Sequence, residues 1–425
     1  MEYKDVSEYL LRLEKFGMKL GLDNINQLLS HLGNPHQAYP LIHIAGTNGK
    51  GSTGAILESI LANSGYRVGL YTSPHLVDFR ERIRINARYI DQKYITDFFE
   101  SNIGKFDDIN PTFFEVVTAL AFTYFRDEKV DLVVAETGLG GRFDATNIIN
   151  PVTSVITNID EEHVQHLGDN VSQIAFEKAG IIKNGIPVVT ATHHVDAQRV
   201  LRQVCKQRKA KLISIFDETQ WVIKDINERK TELDVFTRSQ KYYNLRLSLA
   251  GRHQLENAIC SLIAAELVEE KGIKVTTTGV STGFRSVKWP GRLQRISTKP
   301  EVILDVCHNP AAMRTIHEYF SEFYKNRHLV AVFGILSDKD STRMLQDLVR
   351  FADVIILTKP MTDRAADPEV LAREVARIQS NFQVIPFVRD AYLAAIDHAK
   401  HEDVVLVTGS HYTVGEVMAY TGGRT

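Results

Sequence analysis

Cysteine is scarce in this chain: three in 425 residues, at Cys205, Cys260 and Cys307. They form neither an even set nor a close-spaced ligand pattern, which excludes a disulfide framework and a thiolate metal site and makes a cytoplasmic address the expectation. Long apolar runs are also missing. No stretch approaches the ~18 apolar residues of a membrane span, and the opening MEYKDVSEYL carries no basic and apolar export signal. Nor does either charge dominate. Lys and Arg total 50 against 52 Asp and Glu, a net charge of −2, so nothing global points to nucleic acid or a membrane surface as partner. No internal repeat or low-complexity tract is evident. What is present is ordinary globular composition, 44% hydrophobic and 24% charged, against averages of ~45–50% and ~25%. A length of 425 residues, at ~100–200 per domain, asks for two domains.

From about Leu41 short apolar runs alternate with longer amphipathic ones, the pattern of an α/β fold with a mostly parallel sheet. LIHIA (Leu41 to Ala45) reads as a strand and Ser52 to Ser64 as a helix stopped by Gly65. Further strands are predicted at 132–135, 152–157 and 187–191, and Asn110 with Pro111 reads as the N-cap and first position of a helix. From Trp221 to Leu249 the text becomes β-rich and polar-interrupted, which suits antiparallel strands appended to that sheet. A second α/β series follows, with strands at 302–306, 329–333, 354–358, 382–385 and 404–408. The linker falls around Trp289 to Arg292, giving domains 1–295 and 296–425.

The strongest chemical signal is GTNGKGS: Gly46, Thr47, Asn48, Gly49, Lys50, Gly51 and Ser52 stand between a predicted strand and a predicted helix. Glycines let backbone N–H groups approach phosphate oxygens, and the helix N-terminus adds positive potential. Lys50 would lie against the outer phosphates of a nucleoside triphosphate, with Ser52 or Thr53 near a Mg²⁺ ion. The usual spacing is altered, because Gly51 separates Lys50 from Ser52. Glu136 closes the strand LVVAE and His163 follows VITNID, both at strand ends, where an open α/β sheet forms its ligand crevice. With the hydroxyl of Ser73 they are candidate magnesium ligands; singly, each reads as a structural hydrogen-bonding residue. Spacing alone reads Lys178 as a solvated helix lysine. Arg80, Arg82 and Arg84 recur at period two, which puts them on one face of a strand, either solvated or available to a carboxylate.

Beyond GTNGKGS, the motifs TSPHLVDFRERI, FFEVVTALAF, ETGLGGRFDATN, HVQHLG, EKAGI, GRHQLENA, WPGRLQ, DVCHNP and GILSDKD occur in this order along nearly the whole chain. The sequence thereby resembles the folylpolyglutamate synthases and dihydrofolate synthases of the Mur ligase superfamily. The resemblance implies a phosphate-loop ATP-binding domain and a smaller Rossmann-like C-terminal domain with the active site between them. It implies ATP contacts from the loop and from Asn257, Arg292 and Asp305, with His308 beside them. Ser73, Glu136 and His163 would carry Mg²⁺, and Lys178 would be the family's carbamylated lysine. For a pterin substrate it points to the stretch around Asp23, to Thr112, Phe113, Phe114 and Glu115, and to Phe143, Asp144 and Ala145. Arg82 is the candidate for a substrate carboxylate. Phe113 and Phe143 are equally readable as stacking surfaces or as core. Two stretches depart from the family pattern: Glu161 and Glu162 precede His163 where Asp is common, and Val306-Cys307 replaces a small pair.

The implied activity is an ATP-dependent amide ligase joining L-glutamate to a folate or dihydropteroate carboxylate through an acyl phosphate. The expected partners are therefore small molecules, and the expected state is a monomer. A cell-wall Mur-type amino-acid ligase is the nearest rival. A non-enzymatic phosphate-loop switch is the other, and the chain lacks the N-K-x-D motif of such switches.

Overall fold

The computed structural model describes residues 1–15, 21–162, 167–378 and 381–422. In chain order the strands of the first half are β1 (Leu41–Ala45), β2 (Val68–Tyr71), β3 (Ile83–Ile85), β4 (Arg88–Tyr89), β5 (Leu132–Glu136), β6 (Thr153–Ile156), β7 (Val188–Thr190) and β8 (Leu212–Ser214). They form one eight-stranded sheet in the order β4-β3-β2-β5-β1-β6-β7-β8. The pairs from β2 through β8 are parallel, while β3 and β4 add an antiparallel edge. The central strands are apolar throughout because both faces are covered. Along β5, Leu132 and Val134 face one core, which includes Ile56 and Ile60 of the helix Lys50–Asn63; Val133 and Ala135 face another with Phe122 and Phe125.

Three strands, β9 (Gln220–Ile226), β10 (Thr231–Phe236) and β11 (Lys241–Leu247), form a separate antiparallel sheet. The β-rich character of this stretch matches the sequence reading, but the strands do not extend the large sheet. Leu233, Val235 and Leu245 instead share a core with Leu255 and Ile259 of the helix His253–Leu267, so the small sheet is held by side chains against helices.

The six strands of the C-terminal sheet are β12 (Gln294–Thr298), β13 (Glu301–Leu304), β14 (Leu329–Phe333), β15 (Val354–Lys359), β16 (Phe382–Phe387) and β17 (Val404–Thr408), in the order β12-β13-β17-β14-β15-β16. Only β12 is antiparallel to its neighbour. Alternation again divides the strands between two cores: Leu329, Ala331 and Phe333 point to one, Val330 and Val332 to the other.

Two local readings are corrected. Asn110 does not cap the helix that follows it. It closes the helix Gln92–Ile109 in the left-handed conformation, and Thr112 caps Phe113–Asp127 through a capping box with Glu115. The arginine stripe is not a strand face either. Asp78 and Glu81 form a capping box that winds Phe79–Arg82 into a short 3₁₀ helix, so only Arg84 lies on β3.

Candidate functional site

Strand ends of both large sheets supply the site. Ile44 of β1 is in register with Glu136 at the end of β5, so the phosphate loop and that carboxylate leave the sheet side by side. The loop is fixed by its neighbour across β6: Thr47 N donates to Asn158 O at 2.8 Å, Asn48 N to Asn158 Oδ1 at 2.8 Å, and Thr157 Oγ1 to Asn48 O at 2.7 Å. Backbone geometry explains two glycines. A Cβ on Gly46 would strike Thr157 Oγ1, and Gly49 caps the helix at φ +84 with Asn257 packed where its Cβ would be. Gly51 lies under the ring of Trp289, 2.8 Å from a hypothetical Cβ. Ser52 is buried in the first turn, where Thr53 Oγ1 is a buried hydroxyl with no partner among the described residues.

Lys50 Nζ donates to the carbonyls of Gly46 at 3.1 Å and Thr47 at 3.2 Å and stands 4.0 Å from Glu136. Glu136 is buried and accepts from Ser73 N at 3.3 Å; burial pushes its carboxyl up to about 7, against the opposing pull of Lys50. Lys178 corrects its solvated reading. It is 3% exposed, and desolvation, reinforced by Lys50, brings its ammonium down to about 7. Its Nζ donates to Gly46 O at 2.8 Å.

The C-terminal sheet points its own strand ends at this loop. Asp305 follows β13, with its carboxylate accepting from Leu293 N and Cys307 N at 2.9 Å each; burial raises its pKa. Arg292 lies within electrostatic range of both Asp305 and Glu136, and burial lowers its pKa. It lines one cleft together with Gly51, Ser73, Glu136, Trp289 and His411. His308 places Nδ1 2.9 Å from Val306 O and Nε2 3.0 Å from Glu162 Oε1. Asn48 and Asn309 exchange amide hydrogen bonds of 3.2 and 2.9 Å across the two halves of the chain.

The pterin-side candidates lie in linked pairs. Asn24, next to Asp23, donates to Glu115 Oε2 at 3.4 Å; the same oxygen accepts from Thr112 N and Oγ1. Phe114 packs on Gly138, whose N–H is held by Asp144 at 2.8 Å, and Ala145 is buried just beyond. Arg82 is 5.1 Å from the Phe113 ring centroid and donates to His75 Nδ1 at 2.9 Å. Phe143 is 41% exposed and stacked by Arg142. His163 lies outside the described residues.

Sequence reasoning assigned no role to Glu162, Lys339, His411 or Trp289, although Lys339 falls within GILSDKD and Trp289 within WPGRLQ. Trp289 carries the Arg84 guanidinium over its ring at 4.8 Å, and Arg84 is paired in turn with buried Glu58. His411 opens the helix His411–Thr421 with its ring 5.2 Å from that of His308, and burial among Arg292, His308, Lys339 and Lys50 keeps it neutral, far below the usual histidine range.

A phosphate loop with a buried carboxylate at the end of the neighbouring strand, facing cationic groups at strand ends of a second sheet, suits an enzyme that transfers a phosphoryl group between bound substrates. Residues 44–265, more than half of the chain, match the Mur ligase middle domain, and residues 291–411 match the Mur ligase glutamate ligase domain. The dihydrofolate synthase/folylpolyglutamate synthase of Bacillus subtilis is 34% identical over 98% of both chains. That of Escherichia coli K12 is 33% identical over 98% of this chain and 94% of its own. Among solved structures, Escherichia coli FolC in complex with DHPP and ADP superposes with a TM-score of 0.90 at 32% identity, covering 98% of each chain. Mycobacterium tuberculosis folylpolyglutamate synthase complexed with ADP gives 0.91 at 31%, covering 99% of this chain and 98% of its own. This architecture is that of the ATP-dependent Mur-type ligases. Within that class, the chain belongs to the dihydrofolate synthase/folylpolyglutamate synthase family. Its reaction uses ATP with Mg²⁺ on small-molecule substrates.

Proposed function

We propose that this enzyme joins the α-amino group of L-glutamate to the carboxylate of dihydropteroate and of a reduced folate, serving both steps from one site. The observation that carries the reading is the convergence of Lys50 and Glu136, 4.0 Å apart, with the C-terminal group His308 and Asn309, bonded to the loop through Asn48.

A carboxylate resists attack by an amine because its oxygen is a poor leaving group. Phosphorylation by ATP converts that oxygen into phosphate, and the glutamate nitrogen then displaces it, leaving an amide, ADP and phosphate. Lys50 exchanges its present carbonyl partners for the transferring phosphoryl group and stabilises the charge that develops there. The backbone N–H groups of 49–52, at the start of the helix Lys50–Asn63, cradle the phosphates, while Thr47 and Asn48 spend theirs on Asn158 to hold the loop; Asn257, Arg292 and Asp305 hold the nucleotide from the far side. His308 stands beside them, on the side of the transferring phosphoryl group. Arg82 offers a guanidinium to a substrate carboxylate, while Asp23, Thr112 to Glu115 and Phe143 to Ala145 border the pterin. Domain contact excludes water from the acyl phosphate.

Among the described residues no group of three or more His, Cys, Asp or Glu side chains converges. A Mg²⁺ site that borrows phosphate oxygens and waters needs only one or two protein carboxylates. Buried Glu136, the Ser73 hydroxyl and the Thr53 hydroxyl, unpartnered among the described residues, fit that need, with His163 as the further ligand. The ion would supply charge neutralisation at the phosphates. Lys178 is read as a carbamate: an amine brought to about 7 is substantially neutral at physiological pH, and its nitrogen can attack CO₂ with loss of one proton. The product anion would complement Glu136.

Each large sheet carries its own cores, which supports division into an ATP-binding domain and a C-terminal domain, with the 295/296 boundary moved before β12. Among the described residues no helix is long and apolar enough to cross a membrane; a cytoplasmic monomer acting without nucleic acid or membrane fits the charge balance. Mass spectrometry of products from dihydropteroate and from mono- and diglutamyl folates tests the proposal. Glutamate addition to both substrate types is expected; glutamate-dependent phosphate release with neither would refute it.

A further inference from the structure

The segment after β6 does two jobs at once. Its backbone holds the phosphate loop: besides the Asn158 bonds, the Thr47 hydroxyl donates to Asp160 O and accepts from Asp160 N, both at 3.1 Å. Its side chains reach the other way. Asp160 Oδ2 accepts from Arg314 at 3.3 Å, and Glu161 Oε2 accepts from Arg343 at 3.3 Å. Glu162 Oε1 gathers His308 Nε2 at 3.0 Å, Asn309 Nδ2 at 3.2 Å and Lys339 Nζ at 3.5 Å. Three consecutive carboxylates thus meet four separate elements of the C-terminal domain: the helix Pro310–Phe323, the helix Ser341–Leu348, the loop that follows β13 and the loop that follows β14.

We propose that residues 158–162 form a docking strap that sets the register of the C-terminal domain on the phosphate loop, with Glu162 the positioning residue that aims His308 and Lys339 at the transferring phosphoryl group. The two outer pairs are solvent-exposed and individually weak, and Arg343 is shared with Asp340 at 3.4 Å. Their contribution is to register, because opposite charges that meet only in one domain arrangement penalise the others. Glu162 differs. It is buried, so removing its charge takes away the anion that offsets the partly buried Lys339 ammonium and orients the His308 ring. The strap explains why carboxylates stand at 161 and 162 in a family where the pattern differs. Since loop and domain hang on the same five residues, a shift of one moves the other.

The inference rests on the ligase reading of the site, and a charge exchange separates the two. Glu161→Arg and Arg343→Glu, both at exposed positions, should each lower kcat roughly three- to tenfold at low salt, and the double variant should recover to within about twofold of wild type. In parallel, small-angle scattering with ATP should find each single variant more extended and the double variant compact. Glu162→Gln should lower kcat at least about tenfold while calorimetry finds ATP affinity within about twofold, with Glu162→Asp recovering part of kcat. Unchanged kcat and scattering in the single variants, a double variant no better than the worse single, or a loss of ATP affinity matching the loss of kcat in Glu162→Gln would overturn the strap. Scattering needs no catalysis. Failure of the ligase reading would be read separately, as absence of glutamate-dependent phosphate release from the wild-type enzyme.

Discussion

Lys178 Nζ donates to the carbonyl oxygen of Gly46 at 2.8 Å, joining positions 132 residues apart and burying an amine against the first residue of the phosphate loop. Lys50 Nζ lies 3.1 Å from the same oxygen. Burial is the main reason the Lys178 ammonium is disfavoured, and a second lysine sharing its acceptor adds to that cost.

The pH dependence of stability should expose that cost. The folded-state value of Lys178, about 7, lies below its ordinary 10.5, so between those values the unfolded chain binds the extra proton. Stability then rises with pH through this window, and the burial penalty is fully present below it. In CO₂-depleted buffer, Lys178→Met should be more stable than wild type at pH 6, on the order of a few kcal/mol, with the gap closing by about pH 10. Parallel denaturation curves at all pH values would contradict this.

Function should move the other way at the same residue. Lys178→Ala and Lys178→Arg should both be folded and nearly inactive, because neither can form a carbamate, and short carboxylic acids should partly restore Lys178→Ala where amines do not. Arginine retaining most of the turnover would rule out the carbamate role.

Gly49→Ala should disable the loop without touching a charge. Its φ of +84 penalises any Cβ, and that Cβ would run into the Asn257 amide. A stability loss of about 1–2 kcal/mol is expected from the backbone term, together with weaker ATP binding by calorimetry. Wild-type affinity would mean that Asn257 is free to move aside.

Lys50→Ala should reduce turnover at least ~10²-fold even at saturating ATP, the scale of one lost preorganised donor. Glu136→Gln should instead raise the Mg²⁺ concentration needed for activity. A magnesium titration matching wild type would remove Glu136 from the metal.

Arg292→Ala and Asp305→Ala should each weaken nucleotide binding, although both lie in sequence far from Lys50, because Arg292 stands in the field of both Asp305 and Glu136. Unchanged affinity in both, measured by calorimetry, would refute a nucleotide gripped from two domains.

The legible parts of this protein were those written in contiguous sequence. LIHIA followed by GTNGKGS spells a strand, a loop and a helix, and the strands 41–45, 329–333 and 404–408 fall where the apolar runs put them. Period-two spacing failed at Arg80 to Arg84 because a capping box from Asp78 and Glu81 overrode it, and Arg84 found a buried partner in Glu58, 26 positions away. Thr112 was legible as a functional candidate, but its side chain is also committed to capping a helix. Glu162 and Lys339 could not be paired by reading, since their bond spans 177 positions and depends on two sheets meeting.

The strand order also governs how this protein behaves in crowded solution. The outer strands of the large sheet are β4, two residues long, and β8, three residues long. In the C-terminal sheet, β12 is irregular between Arg295 and Ser297, and β16 carries Pro386, which has no N–H to offer. A neighbouring molecule seeking to add a strand meets a short, kinked or donor-poor border at all four places. Contacts between copies of the two large sheets are thereby diverted to side-chain surfaces, where charge is nearly balanced, and fibrous growth by strand addition to them is closed off.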